Sequence, residues 1–281
     1  KVLPLDQLRN ADALAHVVRA FEDENLPHSE GSIDPARDVA SMETEFILAD
    51  QIVAEKRREK LALQVQKTNS PEEKKELDLF ERVVEALEEE TPLRNVEFSE
   101  AELLTLRGYT FLSLKPLLVV VNAGEADAGK LDRGAAAFGL EEVATHPSTE
   151  VVALSARIEA EIAELDEEDA ASFRADLGIT EPALDRMIRA SYALLGRISF
   201  FTVGEDECRA WTIRRGTAAR KAAGAIHTDI ERGFIRAELI AYDHLIAAGT
   251  WNAGKDNGTL RLEGKDYVMA DGDVVNFRFN V

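Results

Sequence analysis

Leu117-Leu-Val-Val-Val-Asn-Ala-Gly-Glu125 is the stretch that decides the fold class. Five aliphatic residues in a row are too apolar for a strand with one wet face and suit a strand covered on both sides in a parallel sheet. The run ends abruptly in an amide, a glycine and a carboxylate. Further on, Glu150-Val-Val-Ala-Leu-Ser-Ala-Arg157 repeats the plan. Working outward, Leu14–Ala20 and Ser199–Val203 read as two more strands beside Pro116–Asn122 and Glu150–Ser155, and three of the four suit a buried parallel sheet. Open α/β sheets gather ligands beyond the carboxyl ends of their strands. Asn122, Ala123 and Glu125 at one exit, and Ser155, Ala156 and Arg157 at the next, are therefore candidate ligand-reading residues. An Asn and a Glu three residues apart would by themselves only stabilise a turn; two such exits in succession make the stronger case.

Between the first two strands the period becomes helical. Val39, Met42, Phe46, Ile47 and Ile52 form one apolar stripe and Leu77, Phe80, Val83, Val84 and Leu87 another. The break is Thr68-Asn69-Ser70-Pro71, with Ser70 as N-cap, Pro71 at the first helical position and glutamates in the first turn. Helices of about 30 and 20 residues, ~45 and ~30 Å long, are expected to project as an antiparallel arm inserted in an α/β domain. A third helix, Ser99–Leu106, returns the chain to the sheet. Beyond residue 200 short strands alternate with short helices: Ala210–Arg215, Thr217–Ile226, Phe234–Ile240, Tyr242–Ala248, Arg261–Glu263, Tyr267–Met269 and Val274–Phe279. Asp271-Gly272 signals a tight turn. A small mixed sheet clasping one helix, a β-grasp module, is expected there.

The 281 residues hold 53 Asp and Glu against 33 Lys and Arg, a formal charge of -20. A general positive field for nucleic acid is excluded, so any such partner needs a local basic surface. From Val203 onward 11 basic residues nearly balance 12 acidic ones, which marks a boundary near residue 200. No apolar run approaches the ~20 residues of a membrane span. The opening KVLPLDQLRN has no targeting pattern, and a single cysteine excludes an internal disulfide. The cytoplasm is the expected compartment.

Two segments come near the phosphate-cradling pattern G-x-x-x-x-G-K-[ST]: Gly124 to Leu131 and Gly249 to Asp256. Both lack the hydroxyl residue, and the first puts two carboxylates in the cradle, so both are expected to be glycine-containing surface loops. The five histidines show no metal-ligand spacing, and His16, mid-strand, is expected to be a hydrogen-bonded core residue. Cys208 follows Glu205, Asp206 and Glu207, whose charge disfavours a thiolate, so an unreactive thiol is expected. Lys56, Arg57 and Arg58, with Lys60, on the arm and Arg214, Arg215, Arg220 and Lys221 near the C-terminus are the candidate RNA or ribosome contacts.

Longer stretches carry a resemblance. They are Ala11-Asp-Ala-Leu-Ala-His-Val-Val-Arg-Ala-Phe21, Gly31-Ser-Ile-Asp-Pro-Ala-Arg-Asp38, Phe200-Phe-Thr-Val-Gly204, Ala223-Gly-Ala-Ile-His-Thr-Asp229, Glu231-Arg-Gly-Phe-Ile-Arg-Ala-Glu238 and Leu262-Glu-Gly-Lys-Asp-Tyr267. With them the chain resembles the YchF or Obg-like ATPases, a branch of the translation-factor-related P-loop GTPases. In P-loop GTPases N-K-x-D ends one strand and reads the base, and S-A-K ends the next; here Asn122 to Glu125 and Ser155 to Arg157 stand in that order with changed letters. The resemblance implies a partial P-loop NTPase domain of Rossmann-like α/β fold with an inserted helical coiled-coil arm, then a C-terminal β-grasp TGS domain. The segments expected are 1–36 and 99–198 for nucleotide binding, 37–98 for the arm and 199–281 for TGS. It implies a ribosome-associated NTPase, monomeric and not membrane-bound, that hydrolyses ATP and accepts GTP, with a role in translation or stress regulation. The alternative is a nucleotide-independent RNA- or ribosome-binding module. The family's phosphate loop, Mg²⁺-binding threonine and D-x-x-G switch lie upstream of Leu8–Phe21. Catalytic residues and Mg²⁺ ligands are therefore expected upstream, with none in these 281, which alone would be inactive.

Overall fold

A computed structural model describes residues 5–204 and 206–280, and Glu205, one of the acidic neighbours invoked for Cys208, lies outside the described residues. In sequence, two compact units meet between Leu194 and Leu195.

In the first unit, a short helix α1 (Leu5–Leu8) leads to strand β1 (Leu14–Ala20), which pairs in parallel with β2 (Leu117–Ala123), itself parallel to β3 (Thr149–Leu154). The central strand explains the apolar run that opened the sequence. Val119 and Val121 pack with Val18, Phe46 and Ile158 on one face, while Leu118 and Val120 pack with Val152 and Met187 on the other. Both faces are covered, as a parallel strand requires. The fourth predicted strand does not join this sheet; Arg197–Val203 belongs to the second unit.

Helix α2 (Pro35–Thr68) starts at Asp34, whose side chain accepts from Arg37 N, and ends at Asn69 in the left-handed conformation. Ser70 then caps α3 (Pro71–Glu88), with Pro71 at its first position. The two helices bury Ala54, Leu61, Leu79, Phe80, Val83, Val84 and Leu87 in one cluster. Ile52 departs from the expected stripe and is 70% exposed. Six residues after Phe46 it stands about 240° around the helix, and Val53 and Ala54 take the inward positions. Helix α4 (Glu100–Leu106) carries a capping box between Ser99 and Glu102.

Two buried polar clusters hold the helices to the strand that follows. Asp50, fully buried, accepts from Leu112 N at 2.9 Å, Ser113 N at 2.7 Å, Ser113 Oγ at 2.9 Å and Arg9 Nη1 at 3.2 Å. Burial pushes its carboxyl above the usual range against the pull of these donors and of Arg9. Arg94 forks onto Glu43 at 2.7 and 3.1 Å and gives its Nε to Lys115 O. The unit is completed by α5 (Glu141–Thr145), α6 (Ala156–Ile162), α7 (Glu167–Asp176) and α8 (Ala183–Leu194).

The second unit is a five-stranded mixed sheet in the order β5-β4-β8-β6-β7. Its strands are β4 (Arg197–Val203), β5 (Cys208–Arg214), β6 (Phe234–Ala241), β7 (Arg261–Glu263) and β8 (Asp273–Phe279), with helices α9 (Ala219–Ile226), α10 (Thr228–Arg232), α11 (Tyr242–Ala248) and α12 (Trp251–Asp256). Helix α9 packs Ala219, Ala222 and Ala223 against Ile198, Phe200, Leu239 and Phe277. The stretch Tyr267–Met269 forms only an isolated bridge between Val268 and Ala218. The described residues contain no helix long and apolar enough to cross a membrane.

Both glycine-lysine segments are helical rather than surface loops. The first opens a 3₁₀ segment, Glu125–Ala137, where Lys130 Nζ meets Asp127 Oδ1 at 2.6 Å. The second runs from Gly249, which caps α11, through all of α12, because Thr250 accepts from Ala253 N and nucleates a new turn. Gly254 is buried there, and a Cβ on it would come within 2.7 Å of Ile240 Cδ1.

Candidate functional site

Parallel pairing of β2 with β3 sets Asn122 beside Leu154, so the two exits from these strands emerge side by side. Asn122 Oδ1 accepts from Ala156 N at 3.0 Å. Because the backbone N–H can only donate, the amide must present its oxygen there, which leaves Nδ2 as an outward donor. Glu125 Oε1 lies 2.5 Å from Arg157 Nε across the same gap, and both side chains are well exposed. Ser155 is buried at the head of α6, and its Oγ has no hydrogen-bond partner among the described residues. The structure thus brings Asn122, Ala123, Glu125, Ser155, Ala156 and Arg157 to one place: a donor amide, an exposed carboxylate and guanidinium, and an orphan hydroxyl.

Residues that the sequence did not single out hold this place in shape. Phe21, leaving β1, presses on Gly124: a Cβ there would sit 3.1 Å from Phe21 Cβ. The Arg19 guanidinium lies over the Phe21 ring at 5.6 Å. Arg186 of α8 donates to Ala153 O at 3.0 Å and Leu131 O at 3.2 Å, and reaches Asp132 Oδ1 at 2.5 Å. It ties the end of β3 to the 3₁₀ segment that carries Glu125. Asp132 also accepts from Thr180 N at 3.1 Å; burial pushes its carboxyl up, but the Thr180 and Arg186 donors pull it net below the usual range. Only an aromatic at a strand exit, in Phe21, could have been noticed from sequence; Arg186 lies far along the chain and has no local signal.

His16 is half-buried in β1, and burial lowers its pKa, with Asp38 opposing. The hydrogen bond expected of it is not made among the described residues, because its neighbours on β1 and β2 are apolar or engaged in the ladder. Those residues hold no group of three or more His, Cys, Asp or Glu placed for a metal ion. The basic candidates divide. Arg57 is held by Glu76 at 2.7 Å, Lys221 pairs with Glu231 at 2.6 Å, and Arg220 Nε donates to Glu231 O. Arg214 and Arg215 are exposed and form no ion pair with a described residue, and Lys56 is likewise exposed. Cys208 is an exposed free thiol.

Fold and site together define an α/β protein with a parallel sheet and polar groups converging at the ends of its strands. A family model described as YchF-GTPase_C, protein of unknown function (DUF933), matches residues 197–280. The ribosome-binding ATPase YchF of Bacillus subtilis (strain 168) is 43% identical over 277 residues, covering 99% of this chain and 75% of that protein. Obg-like ATPase 1 of Oryza sativa subsp. japonica is 34% identical over 277 residues, covering 99% of this chain and 70% of that protein. The solved structure of the Schizosaccharomyces pombe YchF GTPase superposes with a TM-score of 0.84 at 32% identity, over 98% of this chain and 74% of that one. The chain belongs to the YchF family.

Proposed function

We propose that this protein is a ribosome-associated NTPase of the cytoplasm that binds and hydrolyses ATP and accepts GTP. The observation that carries the reading is the pair of contacts joining two strand exits, Asn122 Oδ1 to Ala156 N and Glu125 to Arg157, in a chain 43% identical to a protein named a ribosome-binding ATPase. The outward Nδ2 of Asn122 offers a donor to a base nitrogen, Glu125 an acceptor for an exocyclic amine, and the orphan Ser155 Oγ a polar group that a ligand would satisfy. Glutamate at 125, held by Arg157, is not dedicated to the paired N–H groups of guanine, which favours acceptance of adenine. These groups suit a base and its edge. Neither glycine-lysine segment suits phosphates: Lys130 is paired with Asp127 and Lys255 lies in the last turn of α12, at the negative end of its dipole. No catalytic role or Mg²⁺ ligation is therefore given to any of these 281 residues, although the nucleotide is expected as its Mg²⁺ complex.

In this reading α2 and α3 are an inserted arm, the second unit is a β-grasp TGS domain, and the contact with RNA or the ribosome uses Arg214, Arg215, Arg220 and Lys221, with Lys56, Arg57 and Arg58 on the arm. Titration with fluorescent ATP and GTP tests the nucleotide half: ATP should bind no more weakly than GTP. A hundredfold preference for GTP, worth ~2.7 kcal/mol, would overturn it.

A further inference from the structure

At the end of the parallel sheet away from Asn122, three segments meet around a cavity of about 530 Å³. They are the turn from α1 into β1, the 3₁₀ turn Arg107–Tyr109 that follows α4, and the run that leads into β2. Hydrogen bonds join these walls. Leu14 N donates to Pro116 O at 2.9 Å, Lys115 Nζ to Ala11 O at 2.7 Å, and Arg9 Nη1 to Thr110 O at 3.1 Å. Thr110 stands there in the left-handed conformation, φ 52°, which a β-branched residue rarely adopts.

The charge of this cavity is the reverse of the chain's. Arg9, Arg107 and Lys115 line it against one carboxylate, Asp12, on a chain of formal charge -20. Arg9 is already answered by the buried Asp50 at 3.2 Å. Arg107 and Lys115 are not, for neither forms an ion pair with a described residue. Arg107 is exposed and offers a planar fork of N–H donors; Lys115 is half-buried, and beyond the one it gives to Ala11 O its ammonium still has hydrogens to donate. Burial pulls the Lys115 ammonium below its usual pKa, Asp12 and Asp50 oppose the fall, and Arg9 adds to it. An anion beside Lys115 and Arg107 would supply the countercharge that a partly buried cation needs. Phe111, Leu114 and Pro116 add an apolar wall, and a cavity of this size suits a small organic molecule better than a bare ion. Among organic anions, a phosphate monoester brings about two negative charges and several acceptor oxygens, enough to meet both cations, whereas a monocarboxylate brings a single charge.

We propose that this cavity binds a small organic phosphate monoester, its phosphoryl oxygens accepting from Lys115 and Arg107 and its organic part lying against Phe111, Leu114 and Pro116. The site stands at the opposite end of the sheet from the candidate base-binding residues and is independent of the nucleotide reading.

The probe is phenyl phosphate, titrated calorimetrically against the whole chain. Saturable binding is expected, with inorganic phosphate and benzoate each weaker by about tenfold or more, since the first lacks the apolar part and the second the second charge. Arg107→Gln, a change on an exposed side chain, should weaken phenyl phosphate about tenfold or more while the melting temperature stays where it was. Asp12→Asn removes the opposing carboxylate and should tighten the probe about threefold, the effect of one partly screened charge. A cavity that merely keeps the fold would show neither change. The proposal is overturned if phenyl phosphate shows no saturable binding, if Arg107→Gln and Asp12→Asn leave its affinity unaltered, or if benzoate binds as tightly. It is also overturned if the probe's affinity follows Asn122→Asp rather than Arg107→Gln, which would place it among the base-binding residues. Displacement of the probe by a uridine oligonucleotide that is itself weakened by Arg107→Gln would likewise overturn it and make these cations an RNA contact.

Discussion

The most constrained residue of the candidate site is Asn122, whose two amide atoms do different work. Asn122→Asp keeps an acceptor for Ala156 N–H but loses the donor Nδ2, so nucleotide affinity should fall about tenfold while thermal unfolding stays nearly unchanged. Asn122→Ala should lower both. Fluorescent-nucleotide titration beside a melting curve checks the pair, and an Asn122→Asp protein with undiminished affinity would remove the residue from the site. Asp50 makes the opposite case, a residue of stability alone. Its oxygens receive only donors, so Asp50→Asn would turn one acceptor into a donor among donors inside a fully buried cluster. A loss of about 3 kcal/mol is expected in urea unfolding; a loss near zero would mean the cluster does not hold α2 to the strand. At Asp132 the folded carboxyl titrates below its ordinary value. Its stabilising contribution is therefore complete above the unfolded pKa and disappears as pH falls through the lower, folded one. Acid unfolding of Asp132→Asn should lack that part of the decline below pH ~4. An acid limb identical to the parent's would show that the Arg186 tether contributes nothing to it.

Whole elements were legible where one physical signal dominated. The apolar run of β2 announced burial on both faces, and Ser70-Pro71 announced the head of α3, because a cap and a first-turn proline act locally. Ile52 was misplaced because a helix as long as α2 changes the core it faces. Its first turns pack on the sheet through Val39 and Phe46, its later ones on α3 through Ala54 and Leu61, with Asp50 inward between them. Helix α12 was hidden by its glycine, which the sequence marks as a loop and the structure uses for close packing against Ile240. The candidate site was legible as six residues at two exits, but not the guanidinium of Arg186 that binds those exits together, since no local pattern announces a long-range tether. The same division predicts dynamics. The root of the α2–α3 pair is pinned by Asp50 and by Arg94 with Glu43, whereas the side chains at the turn Thr68–Ser70 make, among the described residues, only local hydrogen bonds, from Thr68 to Gln64 O and Glu73 and from Ser70 to Glu72, besides the helix caps. Amides at 60–75 should exchange faster by orders of magnitude than those of Phe80 to Leu87. Equal protection along both helices would contradict an arm anchored only at its root.

For the whole molecule the decisive quantity is the charge of -20, which repels any polyanion unless cations are gathered locally. The segment from Val203 is close to neutral, and there Arg214 and Arg215 form no ion pair with a described residue while Arg220 and Lys221 are engaged by Glu231. If this group meets ribosomal RNA, affinity must fall with salt, by roughly 0.7 to 0.9 in log-log slope for each phosphate contact. Neutralising all four should reduce that slope, and most of the reduction should already appear in Arg214→Gln with Arg215→Gln, because those two cations need not first leave a carboxylate. The measurement is co-sedimentation with ribosomes between about 50 and 200 mM salt. Were the fourfold variant to sediment like the parent protein throughout, this surface would be a solvated face and nothing more. The contact would then fall to the cations of α2, where Lys56 is exposed and Arg57 is already held by Glu76. A Lys56→Gln, Arg58→Gln variant would in that case take over the loss of slope, with Arg57→Gln adding a loss of stability that the other two do not share.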